Sequence, residues 1–312
     1  MQKRKLGASG PQVSLIGLGC NNFGGRIDLD ASRLVIDKAL DLGITLFDTA
    51  DTYGDRGGSE EILGKVLGPR RKDIVLATKF GMPMDDAGAL KGASRRYIMS
   101  AVEASLRRLK TDWIDLYQLH RPDPETPIEE TLRALDDLVR AGKVRFIGCS
   151  NLSAQQLEEA QSVAARQRLS SFVSCQDEYS LLVRGIEKDR VPVMRKYGLG
   201  LLPFFPLASG LLTGKYRRDA PLPHGTRLAN SARHAGGLLT PHNWKIVDAL
   251  TVLATRRGHT LLDLAMSWLA SRPTISSIIA GATRPEQVAA NVGAAGWTLS
   301  AADLAEIDRI TL

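Results

Sequence analysis

The sequence has few cysteines, and their arrangement is not typical of a metal or redox site. Cys20, Cys149 and Cys175 are the only three in 312 residues, and none belongs to a CxxC pair or lies near a histidine. We therefore expect no bound metal. An odd number of cysteines without a signal peptide favours a reducing compartment, so we expect a cytoplasmic protein.

Long hydrophobic segments and aromatic-rich basic stretches are also missing. No run approaches the roughly 20 apolar residues that span a bilayer, so we expect no membrane association. The formal net charge is +7, but the lysines and arginines are scattered and only 5% of residues are aromatic. Nucleic-acid binding is therefore not expected, whereas a basic surface is compatible with an anionic small molecule.

The chain alternates between apolar strands and amphipathic helices. After a β-hairpin over 3–6 and 11–14, each of eight strands is followed by a helix. The strands are predicted at 15–18, 44–48, 74–78, 113–119, 144–149, 172–175, 200–205 and 275–280. Alternation of this kind predicts a parallel sheet. Eight units predict an α/β fold of the (β/α)₈ TIM-barrel type with the hairpin as a cap, in one domain over 1–312.

An open, doubly wound sheet is the alternative fold. Such a sheet commonly carries GxGxxG after its first strand, and here Gly17 and Gly19 are followed by Asn22 where the third glycine would stand. The alternative is therefore the weaker one. Residues 206–240 are predicted to be irregular, and a loop of that length is typical of a binding loop or lid.

Three strands end in polar residues, which is unusual for buried segments. Asp48, Lys79 and His120 each follow an apolar run, and Tyr53 lies one short loop after Asp48. Alone, the Asp/Lys pair could be a structural ion pair and the histidine a core residue. In a barrel, however, the active site lies at the C-terminal ends of the strands. We therefore expect these side chains to converge.

The same segments resemble the aldo-keto reductase superfamily. The resemblance rests on residues 47–54 (FDTADTYG), 58–61 (GSEE), 78–79 (TK), 116–120 (LYQLH), 147–151 (IGCSN) and 206–215 (PLASGLLTGK). It is similar in particular to the bacterial and potassium-channel-β-like branch. The resemblance implies the same barrel and NAD(P)(H)-dependent reduction of a small-molecule carbonyl substrate.

The resemblance also implies a catalytic tetrad of Asp48, Tyr53, Lys79 and His120. Tyr53 would be the general acid that protonates the carbonyl oxygen. A free phenol has a pKa of about 10, and a nearby Lys79 would lower it. Asp48 would hold the lysine ammonium, and His120 would orient the carbonyl group.

Cofactor-binding residues are implied in the same way, with NADP(H) as the expected cofactor. Ser150, Asn151 and Gln176 would bind the carboxamide, and Phe204 would stack on the nicotinamide ring. The remaining positions are Leu207, Ser209, Leu211 and Lys215 at the pyrophosphate, and Gly281, Thr283, Arg284, Gln287 and Asn291 around the adenosine. The basic Arg284 at a helix start favours NADPH over NADH.

Two other functions stay open at this point. One is a redox-sensing subunit that binds NADP(H) with little turnover, as channel β subunits do. The other, a metal-dependent barrel hydrolase, is weak because only Asp48 and His120 are suitable ligands at strand ends. The segment Cys20-Asn21-Asn22 departs from the usual Thr and large aromatic residue of the family. The substrate and the oligomeric state therefore stay undetermined.

Overall fold

An N-terminal antiparallel hairpin covers one end of the molecule. The computed structural model describes residues 1–312, apart from the side chains of residues 232–234. β1 (Lys3–Lys5) pairs with β2 (Gln12–Ser14). Leu6, directly after β1, and Val13 of β2 are fully buried, and they pack against apolar side chains that point into the barrel interior. The expected cap is present and closes that end.

Eight parallel strands form the barrel, and each lies beside the next along the chain. They are β3 (Ile16–Gly19), β4 (Leu46–Asp48), β5 (Val75–Phe80), β6 (Ile114–Leu119), β7 (Val144–Ser150), β8 (Phe172–Glu178), β9 (Gly200–Phe204) and β10 (Ile278–Gly281). β10 pairs with β3, so the order runs from β10 through β3 to β9. The (β/α)₈ barrel expected from the sequence is confirmed.

The ring is completed between β9 and β10 by a single bridge. Ile275 pairs with Leu201 of β9, and the Leu201 carbonyl accepts a hydrogen bond of 3.0 Å from the Ser276 amide. The last strand itself begins only at Ile278. The strand predicted at 275–280 is therefore shorter and starts later, because Ile275 turns toward β9 before the chain joins β3.

Helices surround the strands. They are α1 (Leu29–Asp41), α2 (Tyr53–Val66), α3 (Arg95–Leu109), α4 (Ile128–Arg140), α5 (Ala154–Gln167), α6 (Arg190–Tyr197), α7 (Ala232–Leu238), α8 (Pro241–Arg256), α9 (Leu261–Ala270), α10 (Pro285–Gly293) and α11 (Ala301–Thr311). Residues 54–57 within α2 have positive φ, so its regular part begins at Gly58. Within the described part of the chain, no helix has the length and apolar character that crossing a membrane requires.

The segment 206–240 is more ordered than the sequence predicted. A 3₁₀ turn spans Ala208–Thr213 and α7 lies near the end of the segment. Leu211 and Leu212 of the turn are buried, which explains the order: their burial ties the start of the segment to the core. The rest of the segment is irregular, as expected.

Candidate active site

The ends of β4, β5 and β6 bring Asp48, Lys79, His120 and Tyr53 together. Lys79 Nζ lies 2.9 and 2.8 Å from the two carboxylate oxygens of Asp48, 2.8 Å from the Thr49 carbonyl and 3.4 Å from Tyr53 Oη. Lys79 is fully buried. Burying an ammonium away from water is costly unless it is paired. Here the Lys79 ammonium is paired with the Asp48 carboxylate and also contacts the Thr49 carbonyl and the Tyr53 hydroxyl.

Asp48 is held by two further amides. Gln118 Nε2 and Gln176 Nε2 donate to its Oδ1 at 3.2 and 2.8 Å. Gln176 was expected to bind the nicotinamide carboxamide, and in the structure its side-chain amide donates to Asp48. Sequence analysis missed Gln118, although it lies on β6 two residues before His120, a spacing that places both side chains on the same face.

The pKa of Tyr53 differs in direction from the sequence-based expectation. Burial raises it above its ordinary value, and the nearby Lys79 only opposes that rise. For Lys79, burial acts to lower the pKa, but Asp48 and Tyr53 outweigh it and the pKa is raised. At neutral pH the site therefore holds a protonated phenol beside a charged ammonium.

His120 is a neutral imidazole at physiological pH. Burial, followed by the charges of Lys79 and Arg121, lowers its pKa to about 3. Its ring meets that of Tyr53 edge-on, with the centroids 5.8 Å apart. Its buried Nδ1 has no hydrogen-bond partner among the described residues. The ring is thus positioned by packing and keeps hydrogen-bonding capacity.

A cavity of about 810 Å³ begins at this cluster and extends to the start of α10. Asp48, Tyr53 and His120 line it, while Lys79 lies buried behind them. All but one of the residues expected around the cofactor line it too: Ser150, Asn151, Gln176, Phe204, Leu207, Ser209, Lys215, Gly281, Thr283, Arg284, Gln287 and Asn291. The exception is Leu211, which points into the hydrophobic core and is 1% exposed.

Near the tetrad, the polar residues after β7 are held in fixed positions. Ser150 Oγ donates to the Gln176 carbonyl at 2.8 Å. Asn151 Nδ2 donates to Ser150 Oγ at 2.8 Å and to the His120 carbonyl at 3.1 Å. Asn151 has a φ of 62°, a conformation that asparagine tolerates better than most residues. The network joins the cavity wall to the backbone of His120.

At the far end of the cavity, β10 leads into α10 through a polar turn. The Thr283 amide and hydroxyl donate to Gln287 Oε1 at 2.8 and 3.2 Å. Arg284 is the residue before the first turn of α10, and both it and Glu286 are exposed. The exposed Arg284 side chain leaves a guanidinium at the N-terminus of α10, and a cation at a helix N-terminus favours anion binding.

Comparison with known proteins agrees with this geometry. The family model described as Aldo/keto reductase family matches residues 15–311. The chain belongs to the aldo/keto reductase family. Asp48, Lys79 and His120 lie at the C-terminal ends of the barrel strands, and Asp48 and His120 line the cavity.

Relatives of this chain include proteins named as potassium channel subunits and proteins named as reductases. A probable voltage-gated potassium channel subunit beta from Oryza sativa subsp. japonica is 38% identical over 303 residues, covering 94% of this chain and 91% of the relative. The L-glyceraldehyde 3-phosphate reductase of Escherichia coli (strain K12) is 34% identical over 321 residues, covering 99% and 92%. Aldo-keto reductase YhdN of Bacillus subtilis (strain 168) is 36% identical over 320 residues, covering 99% and 93%.

Sequence analysis missed a link across the cavity mouth centred on Asn22. Its Nδ2 donates to the Ala282 carbonyl at 3.1 Å. Its Oδ1 accepts from Arg227 Nη2 at 3.0 Å and from Arg26 Nη1 at 3.4 Å. Arg227 also lies over the ring of Phe205. Asn22 thus connects the loop after β3 to the end of β10 and to the segment 206–240.

A second missed feature is a pair of buried carboxyl groups behind the tetrad. Burial and the nearby Glu60 raise the pKa of Asp51 to about 8. Glu60 is well satisfied, with Arg108 Nε at 2.7 Å and Thr78 Oγ1 at 2.6 Å. Neither oxygen of Asp51 has a partner among the described residues. Asp51 is consequently the group that keeps its proton.

Proposed function

We propose that this aldo/keto reductase family member reduces small aldehydes or ketones to alcohols with NADPH. The observation that carries the proposal is the contact between Tyr53 and Lys79, with neutral His120 beside them at the floor of the cavity. A phenol next to a buried ammonium is a proton donor whose conjugate base is stabilised.

The cavity fits a dinucleotide at both of its ends. Amide and hydroxyl groups of Ser150, Asn151 and Gln176 lie near Tyr53 and His120, and the guanidinium of Arg284 lies at the start of α10. When bound, the nicotinamide supplies the hydride. Ser150 and Asn151 would hold its carboxamide, and Phe204 would pack on its ring.

The residues of this chain have separate tasks in carbonyl reduction. Tyr53 gives its hydroxyl proton to the substrate oxygen, and Lys79 stabilises the phenolate that is left. Neutral His120 donates a hydrogen bond to the same oxygen through the ring nitrogen that carries the proton. Asp48, held by Gln118 and Gln176, keeps the ammonium in place. The raised pKa of Tyr53 suits a donor that must be protonated at neutral pH.

A preference for NADPH over NADH is supported by the charge near α10. The two cofactors differ by a 2′-phosphate, and Arg284 offers two parallel donors to such a group. No acidic residue lies within 281–285, and Glu286 is exposed.

A binding subunit with little turnover is the second candidate, because relatives are named potassium channel subunit beta. Loss of NADPH absorbance in the presence of 4-nitrobenzaldehyde separates the two functions. Turnover that disappears in the Tyr53→Phe variant supports the reductase. Tight NADPH binding without turnover of any aldehyde or ketone tested would favour the binding subunit.

A metal-dependent hydrolase has no comparable support. Among the residues that the structure describes, no group of three or more His, Cys, Asp or Glu side chains is arranged to hold a metal ion. Treating the protein with a chelator is therefore expected to leave carbonyl reduction unchanged.

A further inference from the structure

The cavity carries an excess of positive charge. Among the described residues that line it, Asp48 is the only acid, and it is paired with Lys79. The basic residues that line it are Arg26, Arg121, Lys215, Arg227 and Arg284. A cleft lined by charges of one sign concentrates ligands of the opposite sign. The charge of the cavity lining therefore favours the binding of anionic ligands.

Four of these cations are accounted for by the proposed cofactor or by the protein itself. Lys215 and Arg284 lie at positions expected to contact phosphate groups of the cofactor. Arg26 and Arg227 donate to Asn22 Oδ1, and Arg26 also donates to the Gly225 carbonyl at 3.0 Å. These two are held in place by neutral oxygens rather than by carboxylates.

Arg121 is different from the other four. It directly follows His120 and lines the cavity at the end where the tetrad lies. Its side chain is exposed, and among the described residues it has no hydrogen-bond or ion-pair partner. The backbone before it is fixed, because the His120 carbonyl accepts a hydrogen bond from Asn151. A free guanidinium thus lies beside the reaction centre, away from the adenosine end.

We propose that the substrate is a carbonyl compound that also carries an anionic group, a carboxylate or a phosphate monoester, and that Arg121 binds this group. The inference rests on the proposed reductase function and specifies its substrate class. A guanidinium pairs with either anion through two parallel hydrogen bonds. Arg121 lines the same cavity as Tyr53 and His120, so a short substrate can hold its anion on Arg121 while its carbonyl group faces those two residues.

Matched pairs of aldehydes test the proposal with NADPH as cofactor. One pair is 4-carboxybenzaldehyde and the neutral 4-formylbenzamide, and the other is glyceraldehyde 3-phosphate and glyceraldehyde. We expect the wild-type kcat/KM to favour the anionic member of at least one pair by about tenfold or more, the size of one charged hydrogen bond. The first pair reports on a carboxylate and the second on a phosphate.

Variants of Arg121 show whether that residue causes the preference for the anionic aldehyde. In Arg121→Gln, we expect the ratio of kcat/KM for the anionic to the neutral aldehyde to fall by about tenfold. Arg121→Lys should keep part of the preference, because it keeps the charge but loses the two-pronged geometry. Arg96→Gln is the control, since Arg96 is an exposed arginine of α3 outside the cavity. Its ratio should match that of the wild type.

Three results would overturn the proposal. The first is a wild-type ratio near one for both pairs. The second is an Arg121→Gln ratio equal to that of the wild type. The third is an Arg121→Gln variant whose KM for NADPH rises while the ratio stays constant, which would assign Arg121 to the cofactor. In each case, continued reduction of the neutral aldehydes would leave the reductase function standing, so the two failures are distinguishable.

Discussion

The Nζ atom of Lys79 lies 3.4 Å from the hydroxyl oxygen of Tyr53 and 4.9 Å from the centre of its ring. The ammonium therefore contacts the phenol both as a hydrogen-bonding group and as a charge near its face. Burial alone would make the phenolate very unfavourable. Lys79 opposes the rise that burial causes in the pKa of Tyr53, so its position favours transfer of the phenolic proton to a substrate.

Replacing Tyr53 by phenylalanine should abolish carbonyl reduction. The substitution removes only the hydroxyl, so the ring still packs against His120. General acid catalysis is typically worth about 10²–10⁴-fold in rate, and we expect kcat to fall by about 10²-fold or more. NADPH binding, followed by fluorescence titration, should be nearly unchanged. Turnover above about a tenth of the wild-type value would show that Tyr53 is not the proton donor.

Phe204 should contribute to NADPH binding through its ring alone. Phe204→Ala is expected to weaken binding in a fluorescence titration, because the stacking surface is lost. Phe204→Tyr is the matched control and should bind nearly as well as the wild type, since it keeps the ring. Equal affinity in all three proteins would remove Phe204 from the cofactor site.

Arg284 should set the preference between the two cofactors. Hydrogen bonds to charged groups are worth roughly 1.5–3 kcal/mol, and the exposure of Arg284 argues for the lower end. We expect Arg284→Ala to raise the KM for NADPH by about tenfold and to leave that for NADH nearly unchanged. Glu286→Gln, a change at an exposed neighbour, should have a much smaller effect. Equal losses for both cofactors would contradict the assignment.

Asp51 should make the protein less stable as pH rises. Its pKa is about 8 in the folded protein and about 3.9 in an unfolded chain. Between these values the folded state holds a proton that the unfolded state has released, so the free energy of unfolding falls with increasing pH. The fall is at most about 1.4 kcal/mol per pH unit for this group.

The Asp51→Asn variant isolates that contribution. Its stability relative to the wild type should increase from about pH 4 to about pH 8 and then stay constant. Urea unfolding at a series of pH values measures the difference. A constant difference between the two proteins over this range would show that Asp51 is ionised in the folded state.

The polar strand ends could be predicted from sequence because the pattern of an apolar run followed by a polar residue is local. The barrel fold then brings these ends together. Asp48, Lys79 and His120 each follow an apolar run, and parallel strands bring such positions to one rim. Leu211 shows the limit of that reasoning. It lies in a matching motif, but its direction depends on the fold of the 3₁₀ turn, and the structure places it in the core.

Contacts between distant segments could not be predicted in this way. Asn22 and Arg227 are 205 positions apart, and neither lies in a periodic element that would set its direction. The pKa of Tyr53 was predicted in the wrong direction for a related reason. Its value depends on how completely the surrounding side chains exclude water, which is a property of the packed structure and not of the residue types alone.

The barrel is one continuous eight-stranded sheet, and the single bridge between Leu201 and Ile275 is the weakly paired place where it closes. Backbone amides there should exchange with deuterated solvent sooner than those of the fully paired strands. Phe204 and Gly281 lie at the ends of the two strands that flank this place and face the same cavity. A dinucleotide that contacts both residues would hold the ends of β9 and β10 together. Hydrogen exchange at Leu201 and Ser276 is therefore expected to slow when NADPH binds.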